Sequence, residues 1–194
     1  MTTKRVSPLV VAVTQGAIAG GIALLLSLMG MVETFGERDI IAGVISLGLL
    51  LIVAILVVFG SATARALPDS GAGVRLGAAA LTGVLAELFL VVLVIVGQQV
   101  NLRPVFPNAS PALWEILQFG RTPPTSYLLM LVVGAVGGLL GAGLTLLSRR
   151  FRGPVSVGVL AVVMLGRLEY LIGITIASNP NFASSNLIGA LNDF

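Results

Sequence analysis

Three charged residues and one amide stand where charge and polarity are costly. Glu87, Arg167 and Glu169 fall inside long apolar runs, and Gln15 falls inside another. An ionisable side chain at mid-bilayer costs roughly 2.5–3.5 kcal/mol on insertion scales, so it faces protein and takes a partner. Glu87 lies 12 residues after Arg75, and Arg167 lies 13 residues after Pro154. If both runs are helices entering from one side, a rise of ~1.5 Å per residue brings the two groups to nearly the same depth. The spacing therefore predicts an interhelical Glu87–Arg167 ion pair. Glu169 points to nearly the opposite face from Arg167, where it makes a second polar site or meets Gln15. Such a set of groups can bind a polar substrate or relay protons, contact a partner subunit, or hold helices together. The sequence leaves all three roles open.

Other chemistries are poorly supplied. The chain has no histidine and no cysteine. That removes the usual general base, the commonest metal ligand, the thiolate nucleophile and the disulfide. No phosphate-binding G-x-x-x-x-G-K-[ST] loop, G-x-S-x-G elbow or H-E-x-x-H motif occurs. We expect no enzyme activity, no metal and no cofactor. The net charge of +3 does not point to nucleic acid, because ten of the 11 basic residues are scattered through loops, Arg167 lies in an apolar run, and they form no basic face.

The elements that must position these groups follow from composition. Of 194 residues, 57% are hydrophobic and 10% charged, and mean hydropathy is +1.07. Soluble domains carry about 25% charged residues. A chain this apolar cannot cover a water-facing surface, so lipid is its solvent. A spanning helix needs about 20 apolar residues, and five segments qualify: residues 8–32, 40–64, 76–100, 126–148 and 154–177. None alternates as a barrel strand does. The expected fold is all-α, one transmembrane domain over residues 1–194 with five spans. The first run is longer than a signal-peptide core and lacks a clean cleavage site, so it reads as a retained span.

The longest connection, residues 101–125, carries five prolines. Within it, Ser110-Pro111 followed by Glu115 marks a helix start. Pro111–Phe119 is expected to be a short interfacial helix with Trp114 at headgroup level. Glycines four apart, Gly16/Gly20, Gly134/Gly138 and Gly137/Gly141, make grooves that let another helix approach closely. Arg149, Arg150 and Arg152 form a basic turn, either a topology anchor or a grip on anionic headgroups.

Counting Lys and Arg in alternate loops sets orientation. Seven (Lys4, Arg5, Arg65, Arg75, Arg149, Arg150, Arg152) fall on one side and three (Arg38, Arg103, Arg121) on the other. The N-terminus is expected inside, the C-terminus outside, and residues 101–125 outside, as in a multi-pass protein of a bacterial cytoplasmic membrane.

Three stretches carry a family resemblance: VSPLVVAVTQGAIAGGIALLLSLMGMVETFGERDIIAGVISLG, NLRPVFPNASPALWEILQFG and LLGAGLTLLSRRFRGPVSVGVLAVVMLG. Together they resemble the hydrophobic region that precedes the permease core of bacterial branched-chain amino-acid ABC transporter permeases. The resemblance implies a membrane part of a small-solute transporter. Such permeases continue into further spans and a helix that couples to an ATPase, none of which occurs up to Phe194. The expected partners are therefore lipids, other membrane subunits and a separate ATPase. The residues alone also fit a non-catalytic structural subunit of a larger membrane complex, such as a photosynthetic or respiratory assembly.

Overall fold

The computed structural model describes residues 7–36, 39–41 and 45–147. The chain divides into two units, Met1–Arg152 and Gly153–Phe194. The second unit, with the expected span 154–177, lies outside the described residues, as do Arg149, Arg150, Arg152, Arg167 and Glu169.

The described elements run α1 (Pro8–Leu28), α2 (Met31–Gly36), β1 (Asp39–Ile41), β2 (Ile45–Ser46), α3 (Leu47–Arg65), α4 (Ala72–Gln99), α5 (Pro111–Leu117) and α6 (Thr125–Leu146). Helices α1, α3, α4 and α6 are long and apolar enough to cross a membrane. The shortest, α3 with 19 residues, spans about 28 Å at ~1.5 Å per residue, close to the ~30 Å hydrocarbon core. Their outward faces stay apolar, with Leu9, Leu25, Val58, Val92, Leu128 and Leu140 exposed. Four such helices mark a multi-pass helical membrane protein.

Two spans are shorter than hydropathy alone suggests. The first helix stops at Leu28 because Gly30 adopts φ +82. A side chain there would also meet Asn108, whose Cγ would lie 2.6 Å from an added Cβ. The chain turns into α2 instead of running on to Val32. The second begins at Leu47, not Ile40. Ser46 caps it, its hydroxyl accepting from the Leu49 N–H at 3.3 Å. Ahead of it, β1 and β2 pair antiparallel with Asp39 opposite Ser46. The β-branched residues Ile40, Ile41 and Ile45 favour that extended backbone. These short strands are the departure from an all-helical architecture among the described residues.

Helix α4 is central, packing along α6 on one side and α1 on another, while α3 packs along α6 and also touches α4 and α1. Two kinds of core separate along the bundle. Near the turn between α3 and α4, the buried residues form one cluster of Ala64, Ala79 and Ala142 and another of Val11, Ala12, Leu67 and Ala78. Towards the opposite end they are larger: Ile52, Leu56, Leu90, Val94 and Met130, joined by Leu113 and Leu117 of α5 and Val32 of α2. Helix α5 adds Leu113 and Leu117 to this larger cluster. Leu113 and Leu117 are 0% and 2% exposed, so α5 is anchored in the bundle.

Arg75, in the first turn of α4, donates from Nε to the Ala64 carbonyl at 2.8 Å. That satisfies an orphan carbonyl and complements the negative end of α3.

Candidate functional site

Glu87 sits midway along α4 and is 3% exposed. The local sequence explains its direction. Ala79, Thr82, Gly83, Ala86, Glu87 and Leu90 repeat at helical three-and-four spacing and are all buried. They form the stripe that α4 turns towards its neighbours.

Small residues make this stripe approachable. A Cβ on Gly83 would overlap the Gly134 carbonyl of α6. A Cβ on Gly134 would stand 2.7 Å from Glu87 Cγ. Glycine at 134 is thus what lets the Glu87 stem lie against α6. One step along, Gly138 faces the Ala79 carbonyl, and Gly60 of α3 faces Gly138. Gly137 contacts Leu56, and Gly141 contacts Val57 and Ser61. In α1, Gly16 meets Leu85 and the Thr82 carbonyl, and Gly20 meets the Phe89 ring.

Glu87 lines a small recess of about 10 Å³. The rest of its wall is apolar: Leu49, Ile52 and Val53 of α3, Leu117 of α5, Phe119, and Val133 of α6. That is close to the space needed for one water. No hydrogen bond or ion pair joins Glu87 to another described residue. The expected partner, Arg167, lies outside the described residues, and so does Glu169. Gln15 is half-buried on α1, and no hydrogen bond connects it to Glu87.

Such a group can hold a proton, a water or a cationic partner in a dry setting. None of the described residues that share its recess is a nucleophile. Among the described residues, no three His, Cys, Asp or Glu residues stand together to hold a metal.

Sequence reasoning passed over several buried polar residues. Thr63 and Thr82 share a hydroxyl hydrogen bond of 2.8 Å between α3 and α4. Thr82 also lies 3.4 Å from the Ala12 carbonyl of α1, which ties three helices at one point. Ser27 donates to the Ala23 carbonyl within its own helix. Gln118 Nε2 and Ser126 Oγ are buried with no hydrogen-bond partner. The period of small residues in α4 was a signal for Thr82; Gln118 gave none, since it caps the short α5, where no long periodic face marks a buried side.

Trp114 is half-buried, and its ring lies on Gly97 of α4, where any side chain would displace it. Ser110 caps α5 by accepting from the Leu113 N–H at 3.1 Å. It also donates to Glu33 Oε1 at 2.7 Å, linking α5 to α2.

Comparison of the chain with family models, curated proteins and solved structures returns no match.

Proposed function

We propose that this chain is a membrane subunit of a transporter for small polar solutes, permease-like and not self-sufficient. The family resemblance makes branched-chain amino acids the solute class. In this reading the chain has five spans with the N-terminus in the cytoplasm of a bacterium, and it works with other membrane chains and a separate ATPase. It is not an enzyme.

One observation carries the reading. A carboxyl-bearing side chain lies buried at mid-span, where α4 and α6 pack through glycines, and it lines a water-sized recess shared with α3 and α5. A charge-bearing group in hydrocarbon is costly to retain, which makes it a functional candidate by default. The Thr63–Thr82 pair extends polarity along the same face of α4.

The second reading is a structural subunit of a larger membrane complex. It is favoured by how tightly α4 and α6 close, backbone on backbone, at Gly83, Gly134 and Gly138. A scaffold needs no passage between its helices.

Purification from native membranes separates the two. The transport reading expects a nucleotide-hydrolysing chain to accompany the protein. It also expects ATP-driven solute uptake in proteoliposomes to fall at least tenfold on Glu87→Ala, with Glu87→Asp partly restoring it. Co-purification with pigments or electron carriers, or uptake indifferent to Glu87→Ala, would overturn it in favour of the scaffold.

A further inference from the structure

We infer that the corner joining α5 to α6 is a gate over the Glu87 recess, with the Phe119 ring as its moving part. The inference rests on the reading of Glu87 as a working group and adds what controls access to it.

Phe119 ends α5 in a conformation that its residue type resists. Its φ is +55, and that of Gly120 is +62. The Phe119 N–H donates to the Ile116 carbonyl at 3.1 Å, and the Gly120 N–H donates to the Glu115 carbonyl at 3.0 Å. This paired closure ends many helices, and the residue in its left-handed position is usually glycine. Here glycine comes one residue late. A bulky aromatic takes the position that side chains with a Cβ disfavour. Such an outlier points to a use for the side chain that holds it. The Phe119 ring lines the recess together with Glu87 and packs on the main core cluster.

The same corner leaves two polar groups unsatisfied. Gln118 is 7% exposed and Ser126 is 0% exposed. Neither Gln118 Nε2 nor Ser126 Oγ has a hydrogen-bond partner among the described residues, and a buried polar group without a partner bears its full desolvation penalty. Gln118 directly precedes Phe119. Ser126 opens the buried stripe of α6 that continues through Met130 to Gly134, the glycine against which the Glu87 stem lies. The closed corner therefore carries three separate costs between residues 118 and 126. All three are relieved by one displacement: Phe119 leaves the left-handed region, the amide and the hydroxyl meet water, and the recess opens towards the loops. Apolar packing of Leu117 and Phe119 opposes that displacement. Opposed terms of this kind give two arrangements close enough in free energy to exchange.

The chain has no cysteine, so Glu87→Cys places a single thiol in the recess. Val133→Cys, on the same recess, repeats the test with Glu87 in place. Each full-length variant is reconstituted in vesicles and treated with a charged, membrane-impermeant methanethiosulfonate. The labelling rate reads how often the recess opens to water. Gln118→Met and Ser126→Ala each remove an unsatisfied group from the closed corner with little change of shape. Each should slow labelling by roughly fivefold to tenfold and leave the melting midpoint unchanged or raised, which misfolding cannot mimic. Phe119→Ala removes the ring and should speed labelling. Rates that Gln118→Met and Ser126→Ala leave unchanged, or no labelling in any background, overturn the inference. Solute uptake plays no part in this readout, so the gate can stand where the transport reading fails, and fail where that reading stands.

Discussion

Gly138 is hemmed in by two helices at once. An added Cβ would overlap the Ala79 carbonyl of α4, and Gly60 of α3 presses on its backbone from the other side. Both obstacles are main chain, which cannot rotate away. Gly138→Ala is therefore expected to cost about 1–3 kcal/mol, as overpacking does. Gly143, in the same helix, has nothing within 4 Å of where its Cβ would be. There alanine should be neutral or stabilise by up to ~1 kcal/mol through helix propensity. Thermal unfolding in detergent, followed by circular dichroism, should lower the midpoint for the first variant and not for the second. Equal effects would contradict the packing described. The glycine pairs were legible in the sequence because four-residue spacing is a strong pattern. Gly60 and Gly83 were not, since Gly60 pairs with Ala64 and Gly83 lies between Ala79 and Glu87 on the same face. Small size, not glycine identity, was the signal. For Glu87 the place along its helix was legible but its neighbours were not; contact with Gly134 depends on how α4 and α6 cross.

At the scale of the element, α5 is a wedge. Its beginning was legible, because Ser110-Pro111 is a local capping signal. Its docking was not, because Leu113 and Leu117 are buried by helices far away in sequence. Two substitutions should loosen it by separate routes. Leu117→Ala removes a side chain 2% exposed and is expected to cost about 2–5 kcal/mol. Ser110→Ala removes both the cap and the Glu33 contact, at about 0.5–2 kcal/mol for the cap alone. Because Trp114 rides on α5, its emission should shift red in a transition below the main loss of helix. If emission and helicity are lost together in both variants, α5 and the bundle are one cooperative unit.

Across the whole molecule, the membrane class was plain from composition, and span edges were the weak point. Hydropathy cannot see Gly30 turning to positive φ, or the pairing of β1 with β2 ahead of α3. Both end a helix by backbone geometry while side chains stay apolar. The proposed orientation has a direct check. Asp69 lies between α3 and α4, and Val105, 73% exposed, lies between α4 and α5. Cysteines at these two places should react with a membrane-impermeant maleimide from opposite sides: 69 in inverted vesicles, 105 in intact cells. Labelling of both from one side would contradict α4 as a spanning helix.

The shelter around Glu87 also has a history in time. Everything that closes over its carboxyl from α5 and α6, from Leu117 to Gly134, is made after α4. At ~5–20 residues per second, the intervening chain takes roughly 2–10 s to emerge from the ribosome. During that interval the acid has only earlier helices, lipid or the insertion machinery for company. A nascent chain halted after α4 thus carries Glu87 without its Leu117 and Gly134 neighbours.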